Sequence, residues 1–207
     1  MKKLKNFLKT CWSIESQIRG HVAVSSFFFR RVPIVGRAIS LILDRLLLVV
    51  YGIYLYSFSL NVRWLSIHVP NGVELAGHGI RSDGRVKILG GVRMTARHPG
   101  DPEYKKLYKE SATFRFGDNV VIGMGSILVG PLSICDNVMI GAGSFVNKDI
   151  TEPGIYVGRP LRRIAETSDE QWVKPWSEID PKRAEEIERR KREEAAASTP
   201  PDTPPSA

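Results

Sequence analysis

Two cysteines, Cys11 and Cys135, in 207 residues are too few for a disulfide scaffold or a cysteine-built zinc site. Long apolar runs are also missing. The uncharged stretch from Leu46 to Leu60 falls short of the ~20 residues that span a bilayer, and extending it backwards meets Asp44 and Arg45. A cleavable signal pattern is spoiled by Trp12, Glu15 and Gln17 behind the leading lysines. Neither a G-x-S-x-G nucleophile motif nor a nucleic-acid-binding motif occurs, so no nucleic-acid partner is expected. With 43% hydrophobic and 25% charged residues the chain can bury a core, which excludes wholesale disorder.

Acidic residues are scarce at one end only. Residues 1–63 hold ten Lys/Arg and two Asp/Glu, so the whole formal charge of +8 lies there and residues 64–207 balance to zero. The same segment is apolar, with Phe27, Phe28 and Phe29 in a row and Arg30, Arg31, Arg37 and Arg45 between aliphatic stretches. It reads as a basic helical module, 1–63. Such a module either packs on its own domain or a neighbouring subunit, or sinks one face into an anionic membrane surface as a peripheral contact.

What is abundant is a repeat of six. Phe116, Ile122, Leu128, Ile134, Ile140 and Val146 are evenly spaced, and four places after each stands Val120, Ser126, Leu132, Val138, Ser144 or Ile150. A helix needs spacings of three and four, and an ordinary strand a spacing of two. Period six instead makes one flat strand and one corner per hexad, and three hexads per triangular coil. Large apolar residues then point inward, and glycines or small residues allow the corners. The expected fold is therefore mainly β, a left-handed parallel β-helix, one of the exceptions to right-handed crossovers. A weaker phase upstream (Ile67 and Val73, then Ile80, Val86 and Val92, with one extra residue between the sets) extends the prism over 64–164.

The repeat is interrupted from Arg97 to Thr113 by RHPGDPEYKKLYKESAT, a polar excursion with His98 at its mouth. Long loops on rigid scaffolds often carry function. Residues 165–207 are expected to form a charged helix, opening at Asp180–Pro181, and a Pro-rich disordered tail.

Over about 73 residues, Val92 to Ile164, the segments TARHPGDPEY, FGDNVVIGMGSI, VMIGAGSFVNKDI and GRPLRRI resemble, in order, the hexapeptide-repeat sugar O-acetyltransferases (maltose, galactoside and nodulation-factor enzymes). The stretch His68 to Ile88 is instead similar to the serine-acetyltransferase-like enzymes of surface polysaccharide synthesis. The resemblance implies a homotrimer, acetyl coenzyme A as acyl donor in the cleft between prisms, and a general-base histidine in the segment that falls on Thr95 to Pro99, namely His98. His78 is the base that the serine-type pattern would use, although Gly77 stands where that pattern commonly has an acid. Asp83 or Glu74 is expected to orient substrate or imidazole. Carried over residue by residue, donor contacts fall on Gly141, Ala142, Asn147 and Arg162, with Lys148, Arg159 and Arg163 as nearby cations and Gly123 and Met124 as further expected donor-binding residues. Two departures concern the loop exit and the donor region: Thr113 replaces a usual proline and Val121 a usual tryptophan.

The chemistry these residues suit is direct acyl transfer. A neutral imidazole takes the proton of an acceptor hydroxyl as it attacks the thioester, and no covalent enzyme intermediate is needed. No metal site is expected, because zinc needs three converging ligands, and His68 and His78 belong to early coils while His98 follows a later corner. The expected function is acetylation of a sugar or surface-polysaccharide hydroxyl in the cytoplasm, peripheral to the inner face of the membrane. Alternatives are a serine-type O-acetyltransferase using His78 and a non-catalytic β-helix scaffold.

Overall fold

The structure is a computed structural model that describes residues 13–75, 79–96, 113–166 and 172–198. The chain forms two compact units, one ending at Val173 and the other beginning at Lys174.

The first unit opens with a helical hairpin, α1 (Ile14–Arg31) and α2 (Val35–Tyr51). Ser13 caps α1 by accepting from Ser16 N, and Gly52 ends α2 in the left-handed region at φ 66°. The hairpin is sealed by a buried polar knot rather than by aliphatic packing alone. Asp44 is 5% exposed, and it accepts from Ser25 Oγ (2.8 Å), from Ser57 N (2.9 Å) and from Ser57 Oγ. A buried carboxylate is tolerable only when so supplied with donors.

Thirteen strands among the described residues follow, and twelve are parallel rungs of a prism. The first face stacks β1 (Tyr54–Leu55), β3 (Glu74–Leu75), β5 (Arg93–Ala96), β8 (Ile127–Gly130) and β11 (Phe145–Val146). The long strands β2 (Leu60–His68) and β4 (Ile80–Leu89) each bend across two faces. Their first halves lie under β6 (Phe114–Phe116) and β9 (Leu132–Ile134), which make the second face. Their second halves lie under β7 (Val120–Ile122), β10 (Val138–Ile140) and β12 (Gly154–Val157), which make the third. Finally β13 (Arg162–Ala165) returns antiparallel on β12.

This is the parallel β-helix expected from the hexads, and both series point into it. Ile122, Leu128, Ile140, Val146, Val120, Ser126, Val138 and Ser144 are all 0% exposed. The prism starts earlier than residue 64. Its first coil begins at Tyr54, and the hairpin covers that end: Ile18, Leu47 and Ile53 join the prism core, Phe29 stacks on Phe58 (4.3 Å between centroids), and Arg19 sits 4.0 Å over Trp64. A repeat stack must shield its terminal coil, and the helices do so here.

In the second unit α3 (Trp176–Ile179) precedes α4 (Pro181–Ser198), which begins with proline at its first position as expected. The tail from residue 199 onward lies outside the described residues.

Candidate functional site

The three prism edges differ chemically. Between the second and third faces runs an edge built on Asp–Asn pairs. Asn119 (φ 57°) and Asn137 (φ 56°) take the left-handed corner, and Asn119 Nδ2 donates to Asn137 Oδ1 at 2.8 Å. Below them Asp118 grips Arg85: Oδ1 accepts from Arg85 N (2.8 Å) and Nε (2.9 Å), and Oδ2 accepts from Nη2 (2.6 Å). Arg85 is 3% exposed, so this pair is structural.

Between the third and first faces runs a glycine edge. Gly72, Gly91, Gly125 and Gly143 all have φ between 67° and 74°, and each donates its N–H to a carbonyl of the coil before. Gly123 and Gly141 serve the stacking itself. A Cβ on Gly123 would meet Ile140 O at 2.5 Å and Ala142 N at 2.6 Å, and one on Gly141 would meet Val157 Cγ1 at 2.5 Å. Gly125 and Gly143 are the opposite case, with nothing within 4 Å of where a Cβ would be. The edge therefore presents bare backbone flanked by the half-exposed Met124 and by Ala142, a surface on which an extended ligand can lie flat. Arg159 reaches back to it, donating from Nε to Gly143 O at 2.9 Å.

Between the first and second faces lies the loop edge. The register locates the excursion. Ile122 stands over Ile88, 34 positions on, whereas Ile140 stands over Ile122 after only 18. The surplus of 16 falls between Ala96 and Thr113. Ala96 is level with Gly130, and Thr113 N donates to Gly79 O (2.8 Å) while Thr113 O accepts from Leu132 N (2.9 Å). That bond explains threonine at the loop exit: a proline would have no N–H for Gly79.

His78 and His98 both lie outside the described residues. Their described neighbours do not diverge. Gly79 follows His78 directly, Ala96 precedes His98 by two residues, and both belong to the loop edge on successive coils, with Leu75 level with Met94. His68 is a whole face away, at the end of β2, where its Nδ1 lies 3.0 Å from Glu15 Oε1 and ties prism to hairpin.

Asp83 is not brought to that edge. It is exposed beside Gly84 at the far side of the second face, four residues from Gly79, which is about 13 Å along a strand. Glu74 is nearer in coil order but sits mid-face, between Tyr54 and Arg93. Asn147 and Lys148 are exposed on the last coil at the loop edge, just past Val146, which is level with Leu128. Arg162 and Arg163 are on β13 over the third face, and Arg163 Nη1 is engaged by Glu152 Oε2 at 2.7 Å. The residues expected to contact a donor thus divide among the glycine edge, the loop edge and the third face.

Sequence reasoning missed the outward side of the first face. Ile127, Val129 and Phe145 point away from the core yet are only partly exposed, and they form an apolar strip between the loop edge and the glycine edge. The signal was available, since apolar residues stand at outward positions of an otherwise alternating pattern. Cys135 offers no rival nucleophile: burial, and then the Asp136 charge, raise its thiol above the ordinary range.

Residues 115–148 match the family described as bacterial transferase hexapeptide (six repeats). Galactoside O-acetyltransferase of Escherichia coli (strain K12) is 35% identical over 86 residues, covering 40% of this chain and 42% of that protein. The bifunctional protein GlmU of Streptococcus uberis is 28% identical over 115 residues, 49% of this chain and 23% of that one. The chain thus spans less than half the length of these curated relatives. Among solved structures, serine acetyltransferase in complex with coenzyme A from Brucella abortus strain S19 superposes with a TM-score of 0.61 at 17% identity, over 74% of this chain and 57% of that one. That likeness carries the fold.

Proposed function

We propose, from the premise that the prism belongs to the hexapeptide-repeat transferases, that the protein transfers acetyl from acetyl coenzyme A to a hydroxyl of a sugar or surface-polysaccharide precursor. The observation that carries this reading is the loop edge: the flanks of His78 and His98 share one edge on successive coils, and Lys148 shares it too. His98 accepts the acceptor's hydroxyl proton as its oxygen attacks the thioester carbon. The tetrahedral intermediate collapses, the C–S bond breaks, and the imidazolium returns the proton to the departing thiolate. The donor lies along the glycine edge, open at Gly125 and Gly143, with Arg159 and Arg162 as cations for its phosphates and Lys148 supplied from a neighbouring copy's loop edge.

One prism keeps the loop edge and the glycine edge a face apart. A neighbouring copy closes the distance by setting its glycine edge against the loop, which is why we assign a homotrimer. The donor's own compartment makes the enzyme cytoplasmic. The test is thiol release from acetyl coenzyme A with a panel of sugar, glycan and serine acceptors. His98→Ala is expected to lower kcat/KM by roughly 10²–10⁴. A loss of that size in His78→Ala with His98→Ala active, and serine as best acceptor, would establish the serine-type reading instead. No release with any acceptor would leave a scaffold.

A further inference from the structure

A surface helix normally pairs an apolar face inward with a polar face outward. Helix α2 does not. Gly36, Ser40, Asp44 and Leu47 are its buried side, and the helix turns its opposite side, with Val35, Ile42 and Val49, to solvent at 61%, 62% and 80% exposure. These three recur every seven residues along about 21 Å of helix. Leu46 (46% exposed) widens the stripe, and Ile34 at the hairpin turn (82%) continues it. So large a contiguous apolar surface on a soluble face marks a docking site.

The charges choose the occupant. Arg30, Arg31, Arg37 and Arg45 border or interrupt this surface, all exposed. Neither acid of residues 13–63 opposes them: Asp44 is buried in its serine knot, and Glu15 is beside His68 at the other end of α1. Lys2, Lys3, Lys5 and Lys9 add to the same sign. A second copy docking through the same face would set Arg45 and Arg37 against their own counterparts, a like-charge contact. An anionic bilayer satisfies both features at once, taking the aliphatic stripe below its headgroups and the guanidinium groups among its phosphates. Among the described residues no helix is long and apolar enough to cross a membrane, so α2 lies in the plane of the surface.

We propose that the α1–α2 hairpin docks the protein on an anionic lipid surface through the outer face of α2, while its inner face shields the first coil of the prism.

The experiment uses the full chain and sedimentation with phosphatidylcholine vesicles with or without phosphatidylglycerol. Binding is expected only with phosphatidylglycerol and should weaken near 1 M salt, where the screening length is about 3 Å. Ile42→Glu/Val49→Glu, both at exposed positions, should lose at least about tenfold in partitioning. Arg31→Gln and Arg37→Gln should each lose about fivefold. Light scattering without lipid should give the same mass for wild type and the apolar variant. Failure of the wild type to bind anionic vesicles overturns the proposal. So does unchanged binding of both sets of variants, or a lower lipid-free mass in the apolar variant, which would mean that protein covers this face.

Discussion

Asp118→Ala isolates what holds the coils in register at the Asp–Asn edge. The substitution removes three hydrogen bonds to Arg85, one from its backbone N–H and two from its guanidinium, and strips the opposing charge from a side chain that is 4% exposed. Breaking a fully buried pair costs about 3–5 kcal/mol, because the remaining charge stays desolvated. Asp118 is itself 32% exposed, so water can replace part of it, and the expected loss is about 2–3 kcal/mol. For a unit of this size that lowers Tm by about 5–10 °C. Thermal and urea unfolding followed by circular dichroism read both numbers. Asp136→Ala is the internal control. It removes only the bond from Asp118 N to an exposed carboxylate (2.7 Å) and should cost about 1 kcal/mol. Adding Arg85→Met to Asp118→Ala should recover part of the loss, since no charge is then left buried. If Asp118→Ala costs no more than Asp136→Ala, the pair does not hold the corner as argued.

The glycine edge makes two opposite predictions. Gly123→Ala must push apart backbone atoms 2.5–2.6 Å from its new Cβ and should cost more than about 2 kcal/mol in urea unfolding, whereas Gly125→Asn, in open space at φ 68°, should cost under about 1 kcal/mol. If the acyl donor lies on this edge, Gly143→Asn should leave Tm nearly unchanged and raise KM for acetyl coenzyme A about tenfold, read by thiol release. The raised thiol at Cys135 should react with a disulfide reagent at pH 8 more slowly than a free cysteine, mapped by peptide. Because the folded form holds that proton more tightly, its contribution to stability is present below the ordinary thiol range and is lost as pH rises above about 8.5.

Much was settled by residue spacing alone. A period of six admits only a triangular coil, and every apolar residue in the series from Ile122 to Val146 is where the period places it, because a prism with one residue out of phase would turn an isoleucine to water and a charge inward. The break at residue 97 was legible for the same reason, as the place where the period stops. The sequence could also count charge by region and find it all before residue 64.

Tertiary structure decided which corner each hexad edge would become, and therefore which candidate residues meet. His78 and His98 are twenty positions apart in sequence, yet their flanks share one edge, since a coil brings chain back over itself every 18 to 21 residues. Asp83 is four positions from Gly79 and still lies across a face from it, because a flat strand carries it away. No periodicity could reveal that Asp44 would be buried in a knot of serines or that Val35, Ile42 and Val49 would be left outside. Both follow from which side of α2 meets the first coil, a choice made by packing between distant segments and not by any local pattern.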